Sequence, residues 1–185
     1  MVADPMERLC LAAAECGPSN ELDFQACMLI QQVSYYDVAA VTGCFAEADA
    51  FVQCFADEGT CQTGDGYIAP GCGAEQSAFV ACVNDAVQSG TPAGTPSSIH
   101  PAVASFCATK EACEQEGLVA QYYCELLQDR NVDVAAIYGC ESQEVALVEC
   151  FESEGECSGV WINSSTCAGP KSAVDACIAA ASAKR

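Results

Sequence analysis

Alanine-rich segments run through this chain, their larger apolar residues recurring at helical spacing and few β-branched residues alternating with polar ones. That pattern is helical. A first helix is expected over about residues 5–16, where Asp4 reads as an N-cap, Pro5 as the first helical position and Glu7 as the acid of the first turn. Gly17-Pro18-Ser19-Asn20 should end it. Phe24, Cys27, Met28 and Ile30 fall toward one side of a second helix over about residues 22–35. Asp37 reads as the N-cap of a third segment reaching about residue 57, kinked near Gly43. A fourth helix is expected over about residues 73–87, and its later counterpart starts at Gly169-Pro170.

The same elements then recur. Cysteines stand at 10, 16, 27, 44, 54, 61, 72 and 82, and again at 107, 113, 124, 140, 150, 157, 167 and 177. The intervals are 6, 11, 17, 10, 7, 11, 10 and then 6, 11, 16, 10, 7, 10, 10. Such a match is a duplicated cysteine framework. Asp37-Val38-Ala39-Ala40 recurs as Asp133-Val134-Ala135-Ala136, Gly43-Cys44 as Gly139-Cys140, and Glu58-Gly59 as Glu154-Gly155. The two length differences are expected in loops between helices. Residues 89–101, rich in Ser, Gly, Thr and Pro, read as a semi-extended tether between repeat 1 (residues 1–88) and repeat 2 (residues 102–185). The expected fold is all-α: two tandem, disulfide-stapled four-helix domains.

The spacing also constrains the pairing. Ten helical residues advance about 15 Å and turn about 1000°, which leaves both thiols on one broad face. Bridges across an antiparallel hairpin share a midpoint, and Cys44–Cys82 and Cys54–Cys72 both centre on residue 63. Cys140–Cys177 and Cys150–Cys167 both centre between 158 and 159. The same logic sets Cys10 opposite Cys27 and Cys107 opposite Cys124. In an up-down-up-down bundle the first and third turns lie at one end, which suggests Cys16–Cys61 and Cys113–Cys157. Eight cysteines allow 105 connectivities, so these pairs are a hypothesis.

Cys44 to Cys82 and Cys140 to Cys177 resemble the twin CX9C hairpin of the coiled-coil-helix-coiled-coil-helix family. The resemblance implies two antiparallel helices joined by an outer and an inner disulfide in each copy. It covers under half of the chain and rests on spacing; Cys10, Cys16, Cys27 and Cys61 lie outside the pattern. No mitochondrial role is carried over from it.

Cysteine makes up 16 of the 185 residues, a density that points to an oxidising compartment, extracellular or periplasmic. No basic segment followed by an apolar core opens the chain. A secretion signal is therefore expected to have been removed, with Met1 as an expression start. The apolar runs are too short to span a bilayer, so no transmembrane helix is expected. Acidic residues outnumber basic ones 26 to 6, for a net charge of −20, and Arg8 is the sole base before residue 100. That balance repels nucleic acid and anionic membrane and favours either plain solvation or a cationic partner.

Little chemistry remains. His100 is the single histidine and sits in the tether, which argues against a Ser-His-Asp or Cys-His machine. There is no CxxC for a redox or zinc site, no CxxxC for copper storage and no EF-hand run. No catalytic residue, cofactor or metal ligand is therefore assigned. Tyr35-Tyr36 and Tyr122-Tyr123 lie near the second helix of each copy, and Tyr67 and Trp161 occupy the long loop. These aromatics read either as local packing over the bridges or, for Tyr67 and Trp161, as a recognition loop. Asn163-Ser164-Ser165 is a glycosylation sequon. The leading expectation is a secreted or periplasmic, non-enzymatic interaction or structural protein with an unknown protein or cell-envelope partner. A carrier of an apolar small ligand is the alternative, and thiolate copper storage a third.

Overall fold

A computed structural model of the protein describes residues 4–16, 21–62 and 66–183. Helix α1 (Pro5–Ala14) begins where a capping side chain stands ready, since Asp4 accepts a 2.9 Å hydrogen bond from the Met6 N–H and Pro5 needs no partner. The expected stop at residues 17–20 lies outside the described residues. Helix α2 (Glu21–Gln31) continues past Tyr35 through a π-helical turn, Gln32–Asp37, into α3 (Val38–Thr42). Asp37 is helical, at φ −72° and ψ −36°, and its side chain caps nothing. The expected N-cap there is corrected. The break falls instead at Gly43, whose φ of +83° is a left-handed conformation open to glycine.

In the second copy one unbroken helix, α7 (Leu118–Ile137), covers the same ground. The extra residue of copy 1 between Cys27 and Cys44 therefore lies in a helix, where a loop was expected. A π turn absorbs one added residue while keeping the backbone N–H and C=O groups paired, which a loop would not. From Asp37 to Cys61 the copies then stay in step.

Copy 1 continues with α4 (Phe45–Glu58), β1 (Thr60–Gln62), β2 (Gly66–Ile68), a 3-10 turn at Pro70–Cys72 and α5 (Gly73–Ser89). Copy 2 comprises α6 (Pro101–Glu114), α7, α8 (Glu141–Glu154), β3 (Glu156–Cys157), β4 (Trp161–Ile162), a 3-10 turn at Ser165–Cys167 and α9 (Ala168–Ser182). The two antiparallel hairpins, unforeseen from the sequence, pair Cys61 with Tyr67 and Cys157 with Trp161. Between these paired residues the first hairpin is two residues longer than the second, and the stretch from Tyr67 to Cys72 is one shorter than that from Trp161 to Cys167, which leaves the net difference of one.

Eight disulfides join Cys10–Cys27, Cys16–Cys61, Cys44–Cys82, Cys54–Cys72, Cys107–Cys124, Cys113–Cys157, Cys140–Cys177 and Cys150–Cys167. Their Cα atoms lie 5.1–6.0 Å apart. Cys10, Cys44, Cys72, Cys107, Cys140 and Cys167 are fully buried, so these bridges fill the core as well as cross-link it.

Bridging stays within each copy, but packing does not. The core of copy 1 gathers Val33, Val38, Val41, Phe79 and Val83, and closes over Leu126 from α7 of copy 2. Tyr122 and Leu127 pack against the same cluster. A second cluster in copy 2 centres on Val103, Phe106, Val132 and Val148. Ile99 packs against both. The segment read as a tether is docked: Ala93 donates a 2.7 Å hydrogen bond to the Val41 carbonyl, and His100 N–H donates to Asp129 Oδ1 at 2.8 Å. Gly94 permits the approach, because a Cβ there would stand 2.7 Å from the Ala40 carbonyl oxygen. Polar composition signalled the absence of helix, whereas Ile99, its one large aliphatic residue, and the Ala93 backbone anchor the segment.

Candidate functional site

Where α5, α6, α7 and the β3–β4 hairpin converge, the copies leave a cleft of about 460 Å³. Its apolar wall is built by Val87 of α5, Phe106 of α6, Tyr123 and Leu127 of α7, and Trp161 of β4. Three amides, Asn84, Gln128 and Asn163, face it from different elements, and Lys110 and Glu116 complete the charged part of the lining.

Trp161 is placed by three features. Gly155 lies beneath its ring, and a Cβ there would come within 2.2 Å of the indole, so glycine is required for contact and not for its dihedral angles. The Phe106 ring stands edge-on at 6.1 Å between centroids. The Trp161 backbone N–H donates at 2.8 Å to Glu114, whose other carboxylate oxygen accepts from Lys110. Burial pushes the Glu114 carboxyl up, but the bonds from Lys110 and Trp161 outweigh it and hold the group below the usual carboxylate range. Glu114 thus ties the hairpin to α6 and matches the charge of Lys110.

Tyr67 repeats this arrangement in copy 1. Its ring covers Gly59, stands edge-on to Phe55 at 5.6 Å, and its hydroxyl donates to the Phe55 carbonyl at 3.3 Å. The repeated Glu-Gly dipeptide is therefore the seat of a hairpin aromatic in both copies. Both residues of the suggested recognition loop fold back onto their own copy, and Trp161 alone also lines the cleft. Val160, at the tip of the second hairpin, is 64% exposed.

Two hydrogen bonds join the copies outside the cleft. Arg130 of α7 donates to Ser34 at 2.8 Å, and Tyr138 donates to Asp23 at 2.8 Å. Burial, then the hydrogen bond and charge of Asp23, push the Tyr138 hydroxyl up to about 12. Burial pulls the Arg130 guanidinium down, against the influence of Tyr123 and Tyr35. A smaller pocket of about 230 Å³ under the docked segment sets Arg130 beside Asp37, Asp129 and Asp133.

Compared with models of known protein families, with curated proteins and with solved structures, the chain matches none of them.

The residue types that usually carry chemistry have structural partners here. His100 caps α6, its Nδ1 accepting from the Ala102 N–H at 3.2 Å. All sixteen cysteine sulfurs are in bridges. Among the described residues no group of three or more His, Cys, Asp or Glu side chains is arranged to hold a metal ion, and no helix is long and apolar enough to cross a membrane. Sequence reasoning noted Trp161 and Tyr123 but missed the cleft, because Val87, Phe106 and Leu127 carry no motif. The one available signal was the lone tryptophan opposite a tyrosine pair.

Proposed function

We propose that this is a non-enzymatic binding protein of an oxidising compartment, extracellular or periplasmic. Two disulfide-stapled copies form a rigid body that presents an acidic surface and apolar hairpin and helix residues to a protein or envelope partner. The observation that carries this reading is the fate of the reactive residue types: the only histidine is a helix cap, and no thiol is left for catalysis or for thiolate copper storage. What remains outside is charge, −20 in net, together with isolated exposed apolar residues such as Leu11, Phe45, Val80 and Val160. Charge of one sign favours a cationic partner through long-range attraction.

A second reading is favoured by a specific observation. The cleft between the copies has the size and mixed lining of a small-molecule site, so the protein is also a candidate carrier. Native mass spectrometry of the protein recovered from its own compartment separates the two. A stoichiometric protein complex that salt dissociates supports the binding protein, and a dissociable organic mass supports the carrier. Bound copper with free thiols contradicts both.

A further inference from the structure

We propose that the cleft between the copies binds an organic cation built on an aromatic ring system. The inference rests on the carrier reading and adds the ligand's class. Tyr123, 37% exposed, and the half-buried Trp161 present two aromatic rings to a cleft of about 460 Å³, with Phe106, 3% exposed, packed edge-on against Trp161. Rings of this kind offer a flat apolar partner stacking surface, and their negative faces attract cations, tryptophan most strongly. Asn84, Gln128 and Asn163 add neutral donors and acceptors, which suit a polar-substituted ring better than an alkyl tail.

Charge selects the sign. Within the lining Lys110 and Glu116 balance, and Glu114, which lies just outside it and pairs with Lys110, brings the local count to two negative charges against one positive. Arg130, whose charge reaches Tyr123, belongs to the neighbouring pocket and is outnumbered there by Asp37, Asp129 and Asp133. The field of the whole molecule, at −20, has the same sign and raises the local concentration of cations. An anion would be repelled at long range and would find Lys110 already occupied by Glu114.

The test uses the chain's single tryptophan, which lies in the cleft wall. The oxidised full chain is titrated with the cation 9-aminoacridine, and separately with the anion anilinonaphthalene sulfonate, while Trp161 emission is followed. Saturable one-to-one quenching by the acridine alone is expected. Ala120→Phe, which fills the cleft from α7, should weaken it more than tenfold. Glu116→Gln, which keeps the shape, should weaken it about fivefold, the scale of one partly screened ion pair. Both variants are checked for an unchanged helical circular dichroism spectrum, and Glu116→Gln, at an exposed position, keeps the test decisive if Ala120→Phe fails to fold. Quenching that never saturates, or that survives Ala120→Phe in a folded protein, overturns the site in favour of loose binding to the acidic coat. Preference for the anionic dye, lost in Ala120→Phe, overturns the choice of a cation while leaving the carrier reading in place.

Discussion

A methyl group on residue 155 would stand 2.2 Å from the Trp161 ring, and one on residue 59 would stand 2.3 Å from that of Tyr67. Both glycines have ordinary negative φ, so the requirement is space alone. Gly155→Ala should therefore displace the indole, cost about 1–3 kcal/mol as an overpacking change, and shift tryptophan emission to the red. An unshifted spectrum would contradict the stacking. Two carboxyls, the buried Glu144 and the half-buried Glu114, are expected to respond oppositely to pH. Burial, and then the Asp175 carboxylate, raise the Glu144 carboxyl against the pull of Lys171. A carboxyl whose folded pKa is raised costs stability when ionised, and that cost vanishes once pH falls below its unfolded value of about 4.3. Glu144→Gln should raise the melting temperature at pH 7 and leave it unchanged near pH 3. Glu114 is held below its usual range, so its contribution is present above the unfolded pKa and lost as pH falls through the folded one. Glu114→Gln should lower the melting temperature at pH 7 and matter least in acid.

Among the elements, the bridges and the π turn show how far sequence pattern reaches. Helix pairing was legible because antiparallel geometry forces bridges such as Cys44–Cys82 and Cys54–Cys72 onto one midpoint, a relation that arithmetic on residue numbers can find. The π turn was hidden, since one added residue between Cys27 and Cys44 fits a loop as well as a helix in sequence, and only the packing of Gln32–Asp37 against α7 decides. The hairpins were hidden too, because strands of two or three residues are too short for alternation to register. Cys16–Cys61 clips the first of these hairpins to the end of α1 and closes a separation of 45 residues. Its sulfurs lie outside the fully buried set, so replacing both cysteines by serine removes the cross-link with little loss of packing. The expected cost is about 2–4 kcal/mol in urea unfolding, toward the lower end because Cys10–Cys27 and Cys54–Cys72 already constrain the same loop. A change within error would show that those two bridges suffice.

At the scale of the whole molecule, duplication has produced two separately bridged copies that share packing. The cleft was illegible in sequence for this reason: Val87 lines the same cleft as Phe106 and Trp161 because the copies pack together, with Leu126 of α7 seated in the core of copy 1. Leu126→Ala should cost about 2–5 kcal/mol and lower the unfolding of both copies together in a single transition. Two separated transitions, with only one shifted, would contradict a shared core. All of this rests on the cysteine framework. The most direct test is disulfide mapping by mass spectrometry of unreduced protein recovered from its own compartment. The expected result is a mass lower by two hydrogens for each of eight bridges, with Cys16 cross-linked to Cys61 and Cys113 to Cys157. Free thiols, or a bridge running from one copy to the other, would contradict it.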